Sequence, residues 1–105
     1  MTDRDLQAGL RIGNHMFAGR PVVLAPMEDI TDPPFRHLCK EMGADWVYTE
    51  FISADGLIRD AVKSIKKLDV RAEERPVSIQ LFGANIEAMV GAATVVVAAV
   101  NVHRT

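Results

Sequence analysis

Three short strings in this chain combine residue types that can hold a ligand: Pro26-Met27-Glu28-Asp29, Thr49-Glu50-Phe51 and Gln80-Leu81-Phe82-Gly83. Gln80 offers a primary amide, donor and acceptor together, which complements a planar heterocycle presenting both along one edge. The same amide could instead be a strand-end group satisfied by backbone or water. Pro26-Met27 reads either as a ligand loop or as a strand terminus followed by a core methionine. Glu28 and Asp29 could serve acid–base or metal chemistry, yet adjacent side chains rarely point at one atom and no histidine stands at ligand spacing. A solvated turn at a helix start suits them better, because negative charge there is stabilising. No metal ligand is therefore assigned. Glu50 faces either a pocket or a basic partner such as Arg36. Cys39 invites a catalytic label, but it recurs with Phe35, Leu38 and Met42 at helical spacing and behaves there as a small hydrophobe, so no catalytic residue is assigned. His15, His37 and His103 read as surface or hairpin residues. Lys63, Lys66 and Lys67 could meet phosphates as mobile point charges, although a solvated helix face explains them more simply.

The elements that must position these groups follow from pattern. Leu10, Ile12, Met16 and Phe17 flank Gly13-Asn14, a dipeptide suited to a tight turn, which predicts a small amino-terminal hairpin. Val22 to Ala25 is a short apolar run of the kind buried on both faces, stopped by Pro26. Thr31 or Asp32 can cap a helix with Pro33 and Pro34 in its first turn, ending at Gly43. Trp46 to Thr49 predicts a second strand, Ser53 to Leu68 a mostly helical stretch, and Val77 to Phe82 a third strand. Asn85 can cap a third helix with Ile86, Met89, Val90 and Ala93 as its buried stripe. Three strand-helix units in succession argue for an α/β fold with parallel pairing. Ligands of such folds sit at the carboxyl ends of the strands, where all three strings fall. A closed (β/α)8 barrel takes about 250 residues, so the chain is expected to be roughly the first three units of one.

Composition narrows the class further. A chain of 105 residues with 49% hydrophobic content can build one small core. Twelve basic and fourteen acidic residues are interspersed, for a net charge of -2, which excludes a long single-sign arm. A single cysteine excludes an internal disulfide and fits a reducing, cytoplasmic setting. Met1 to Gln7 is polar, which argues against a secretory signal and predicts a mature start near Met1. The apolar stretch Ala88 to Val102 falls short of the roughly 20 residues of a membrane span, so no membrane association is expected.

The strings APMEDITDPPFRHLCKEMGADWVYTEFISADGL (Ala25 to Leu57) and ERPVSIQLFG (Glu74 to Gly83) resemble the opening motifs of tRNA-dihydrouridine synthases in order and spacing. The resemblance runs from about Leu10 to Ala93. It implies an FMN-binding TIM barrel that reduces the 5,6 double bond of uridines in tRNA, with NADPH reloading the flavin. It implies that Pro26, Met27 and, less directly, Glu28 contact FMN, and that Gln80 hydrogen-bonds the flavin ring. On that footing residues 1–20 form an amino-terminal segment with the hairpin, and residues 21–105 an incomplete FMN-binding barrel domain. The family's proton donor is a cysteine in a Gly-Cys-Pro turn after the fourth strand, and this sequence has no such turn. Ala99 to Thr105 departs from the family pattern, so a truncation or frame shift near Val97, and an inactive chain, are expected. Two alternatives remain: another FMN-binding barrel, such as a dihydroorotate-dehydrogenase-like enzyme, and a non-catalytic RNA-binding or self-associating module. Oligomeric state is not legible.

Overall fold

The computed structural model describes residues 9–102. The expectations for Met1 to Gln7 and for His103 fall outside the described residues. The elements are β1 (Leu10–Ile12), β2 (His15–Phe17), β3 (Val23–Leu24), α1 (Pro33–Glu41), β4 (Trp46–Tyr48), β5 (Ile52–Ser53), α2 (Ala54–Ile58), α3 (Val62–Lys66), a 3-10 turn (Ala72–Glu74), β6 (Val77–Ser78), β7 (Leu81–Phe82) and α4 (Ile86–Val102). The architecture is mixed α/β with parallel sheets.

β1 and β2 pair antiparallel about a turn in which Gly13 takes φ 58°, a conformation that costs glycine nothing. The ribbon leans on the main sheet through ring contacts: His15 meets Trp46 edge-on at 5.3 Å, and Phe17 lies 5.7 Å from the same indole. His15 is thus an exposed hairpin residue with a packing role.

β3, β4 and β6 form a parallel sheet in that order, and β5 pairs parallel with β7. The third strand, expected as one run from Val77 to Phe82, is split into β6 and β7; the second stops at Tyr48, close to its expected end, and β5 is a further strand where the pattern predicted the start of a helix. Tyr48 stands opposite Ser78 and Ile52 opposite Leu81, so four steps along one strand match three along the other. Thr49 N–H still donates to the Ser78 carbonyl at 2.9 Å, and the surplus residue then bulges out of the ladder, which turns Glu50-Phe51 away from regular pairing.

Asp32, not Thr31, caps α1: its Oδ1 accepts from the Phe35 N–H at 3.0 Å, with the two prolines in the first turn. Gly43, at φ 111°, carries the chain off the helix after Met42. The expected apolar face is not the buried one. Leu38 is 53% and Met42 81% exposed, whereas Arg36 is the buried residue of the helix, drawn in by a carboxylate partner described below.

The single helix expected from Ser53 to Leu68 is two short ones. Ser53 caps α2, its Oγ accepting from Gly56 N–H at 3.1 Å, and the chain reverses at Asp60, φ 55°. The reversal lets α3 press on α2 so closely that a Cβ at Gly56 would collide with the Ser64 hydroxyl. α4 starts as expected at Asn85, whose Oδ1 accepts from Ala88 N–H at 3.1 Å. Its buried face overlaps the expected stripe only in part: Ala88 and Ala92 are inside and Met89 packs half-buried against the core, while Ile86 is 80% and Val90 63% exposed. Small residues win because α4 lies close against α2, with Gly91 allowing only 3.1 Å between an added Cβ and Ile58. The core so formed joins Ile52, Ala54, Leu57, Leu68, Ala88 and Ala92. Burying a leucine such as Leu57 contributes about 1.5–3 kcal/mol. Among the described residues no helix is long and apolar enough to cross a membrane.

Candidate functional site at the carboxyl ends of the strands

Parallel pairing places the loop after β3, the bulge after β4 and the link between β6 and β7 at one end of the sheet. In the first of these, Pro26 is exposed and Met27 half-buried. The main chain of Met27 is fully engaged. Its N–H donates to Thr31 Oγ1 at 3.0 Å, and its carbonyl accepts from Ile30 N–H, Thr31 N–H and the Thr31 hydroxyl. The turn is closed by Asp29 at φ 64°, a conformation aspartate tolerates better than most residues.

The bulge presents Thr49, Glu50 and Phe51 differently. Thr49 is fully buried, and its hydroxyl repairs the broken ladder by accepting from Gln80 N–H at 3.2 Å while donating to the Glu50 carbonyl at 2.9 Å. Glu50 is largely buried, and its base is Lys67 at 3.8 Å rather than Arg36. Lys67 was read as part of a solvated face with Lys63 and Lys66. Those two are exposed, but the Lys67 ammonium turns inward to Glu28 Oε1 at 2.9 Å and the Phe51 carbonyl at 3.3 Å. It also stands 5.4 Å from the centre of the Phe51 ring.

Carboxylate oxygens of Glu28, Asp29 and Glu50 lie within 4.8 Å of one another, contrary to the expectation that the adjacent pair would diverge. The left-handed residue at the turn is what folds them together, and Lys67 supplies positive charge to the cluster. Burial pushes the Glu50 carboxyl above its ordinary range; the Glu28 charge adds to the rise, Lys67 opposes it, and Asp29 and Asp32 add smaller pushes.

Gln80 has its main chain pinned on both sides, by Thr49 Oγ1 and by Ile52 N–H, which donates to its carbonyl at 2.7 Å. Its side chain is exposed and makes no hydrogen bond among the described residues. A rigid backbone thus presents a free amide at the sheet end. A cavity of about 170 Å³ is lined by Thr31, Asp32, Pro33, Arg36, Glu50, Lys66 and Lys67, and Pro26, Met27 and Gln80 are not part of its wall. Its volume falls below the roughly 300–1,000 Å³ of ordinary small-molecule sites, so the lining residues shape part of a pocket. Cys39 sits elsewhere: it shares a shallow hollow with Val22, Val23, Leu24, Met42, Gly43 and Ala44, the residues by which the chain enters β3 and β4. Thr31 was read only as a helix cap, Thr49 only as part of a candidate string and Lys67 only as one of three surface lysines; the partners that define their places here carry no signal in the sequence.

The model of the dihydrouridine synthase family matches residues 23–103. The probable tRNA-dihydrouridine synthase of Aquifex aeolicus (strain VF5) is 45% identical over 75 residues, covering 71% of this chain and 23% of that protein. tRNA-dihydrouridine synthase B of Xanthomonas campestris is 36% identical over 84 residues, 80% of this chain and 25% of the relative. Its namesake in Pseudomonas aeruginosa is 38% identical over 74 residues, 70% and 22% respectively. The chain spans about a quarter of the length of these relatives. No solved structure matches it significantly.

Proposed function

Because the chain belongs to the dihydrouridine synthase family, we propose that it forms the flavin-facing first part of a TIM-barrel tRNA-dihydrouridine synthase of the cytoplasm, acting on uridines of tRNA. The observation that carries this reading is the free Gln80 amide, held by a pinned main chain at the strand end beside the Pro26-Met27 loop and the Glu50 bulge. Its donor and acceptor fit the edge of an isoalloxazine ring. When bound, FMN supplies the hydride for the uridine 5,6 double bond, with NADPH as the source of reducing equivalents.

The chain's own residues bind and orient. Gln80 pairs with the ring edge, and Pro26 lines the same end. Met27 has no main-chain donor or acceptor to spare, so it contributes its thioether side chain, a polarisable surface suited to an aromatic ring. Glu28 is a holder of Lys67 first, and its part in the site is to fix the loop through that ion pair. Cys39, at the opposite end of β3 and β4, takes no part in proton transfer. No residue of this chain is assigned as the acid for uracil C5.

Titration of the chain with FMN, followed by flavin fluorescence, tests the reading. Saturable binding is expected, too weak for stoichiometric flavin to survive purification. Gln80→Leu should weaken it about fivefold, the scale of one lost hydrogen bond, with thermal stability unchanged. Equal binding by both forms would remove Gln80 from the site.

A further inference from the structure

We propose that Thr31 is a positioning residue: its hydroxyl locks the Pro26-Met27 loop in its ligand-facing form, and Arg36, anchored by Glu74, holds Thr31 in place. That the loop faces a cofactor rests on the function proposed above; the lock itself rests on hydrogen bonds.

Thr31 is fully buried, and its hydroxyl both accepts from Met27 N–H and donates to Met27 C=O, each at 3.0 Å. A single side chain therefore satisfies both polar groups of one residue four positions earlier. The turn between them runs through Asp29 at φ 64°, a conformation that persists where surrounding contacts over-determine it. Thr31 is held from behind. Its carbonyl accepts from Arg36 Nη1 at 2.6 Å, Arg36 Nε donates to Glu74 Oε1 at 2.6 Å, and Arg36 Nη2 donates to the Asp69 carbonyl at 3.0 Å. Glu74 Oε2 is fixed in turn by Arg71 N–H at 2.6 Å. The result is an unbroken relay from the turn before β6 to the loop after β3, with Arg36 and Glu74 nearly solvent-free at 2% and 1% side-chain exposure. A residue serving only to cap α1 would need none of this, and Asp32 already does that work.

The test is residue-resolved amide hydrogen exchange on the full 105-residue chain, comparing wild type with Thr31→Val, Thr31→Ser and Glu74→Gln. Valine keeps the shape and removes the hydroxyl. Met27 N–H is expected to exchange about tenfold faster in Thr31→Val, the scale of one lost hydrogen bond, with Val47 and Ile52 N–H unaffected. Serine should restore wild-type exchange at Met27. Glu74→Gln leaves the hydroxyl in place and takes the charge away from Arg36, so Met27 exchange should rise there by a larger factor than exchange at Val47 and Ile52, which reports general loss of stability. Unchanged Met27 exchange in Thr31→Val overturns the lock, and Met27 exchange that rises in Glu74→Gln no more than at Val47 and Ile52 overturns the relay behind it. FMN titration of the same proteins separates the two readings: about fivefold weaker binding in Thr31→Val with rescue by serine is expected. If wild type binds no FMN while Thr31→Val still frees Met27, the cofactor reading falls and the lock stands.

Discussion

The Glu50 carboxyl lies under opposing influences, and burial together with Glu28 outweighs the Lys67 ammonium, so its proton is held above the ordinary value near 4.5. For an acid raised in this way the folded state binds more protons than the unfolded one between the two values. Stability therefore falls as pH climbs from about 4.5 through the raised value, and the loss is complete above it. Glu50→Gln is expected to melt at a higher temperature than wild type near pH 7 and at nearly the same temperature near pH 4, since the neutral amide has no charge to bury. Thermal melts across that range decide it; parallel curves would show that Lys67 neutralises the carboxylate after all. Part of this site was legible in the strings. Pro26, Met27, Glu50 and Gln80 could be placed because their residue types, at strand ends, limit what they can do. What Thr31, Thr49 and Lys67 bond to could not be read. Thr49 matters because the ladder breaks beside it, and Lys67 because it reaches Glu28 across 39 positions. Neither fact leaves a local pattern.

At the scale of elements, signals carried by one residue and its near neighbours translated directly. Asp32 with two prolines starts α1, and Asn85 starts α4 through the expected side-chain bond. Signals that depend on what an element packs against did not. The period of α4 allowed several faces, and the choice fell on the one that carries Ala88 and Ala92, which lies against α2. The stretch from Ser53 to Leu68 has a continuous helical pattern, yet it folds back at Asp60 because Gly56 leaves room for Ser64. That contact yields a prediction. Gly56→Ala gains helix propensity of up to about 1 kcal/mol, but the methyl group must push the buried Ser64 hydroxyl aside and crowd the Ser64 and Ser53 Cβ atoms at 3.2 and 3.3 Å. Overpacking of this kind costs about 1–3 kcal/mol, so net destabilisation is expected in urea titration. Ser64→Ala added to Gly56→Ala should recover part of the loss by removing the colliding hydroxyl. Stabilisation by Gly56→Ala alone would mean that α2 and α3 are not in tight contact.

Across the whole molecule, the pair of Arg36 and Glu74 joins regions 38 positions apart, α1 to the 3-10 turn that leads into β6. Its burial sets its energetics. Two charges removed from water are seldom better than two apolar groups of the same size, but one charge left without its partner is costly, about 3–5 kcal/mol. Against a stability of about 5–15 kcal/mol for an ordinary small domain, that loss is enough to populate the unfolded state. Glu74→Leu is accordingly expected to lower the urea midpoint by far more than Thr31→Val or Gly56→Ala, because Arg36 keeps its charge and loses its counter-ion. Arg36→Met combined with Glu74→Leu should recover much of this and not all. The Thr31 and Asp69 carbonyls would still lack the donors that Arg36 gives them, and the Arg71 N–H would lack its acceptor. A double-mutant cycle measured by urea unfolding gives the coupling directly. If Glu74→Leu costs less than about 1 kcal/mol, the surface-pair scale, the buried pair does not tie the molecule together. If instead the double variant is stable but Met27 N–H exchanges freely, charge pairing is dispensable for the fold and needed for the loop. The cost of burying these two charges would then be justified by the geometry they impose on the strand end rather than by stability.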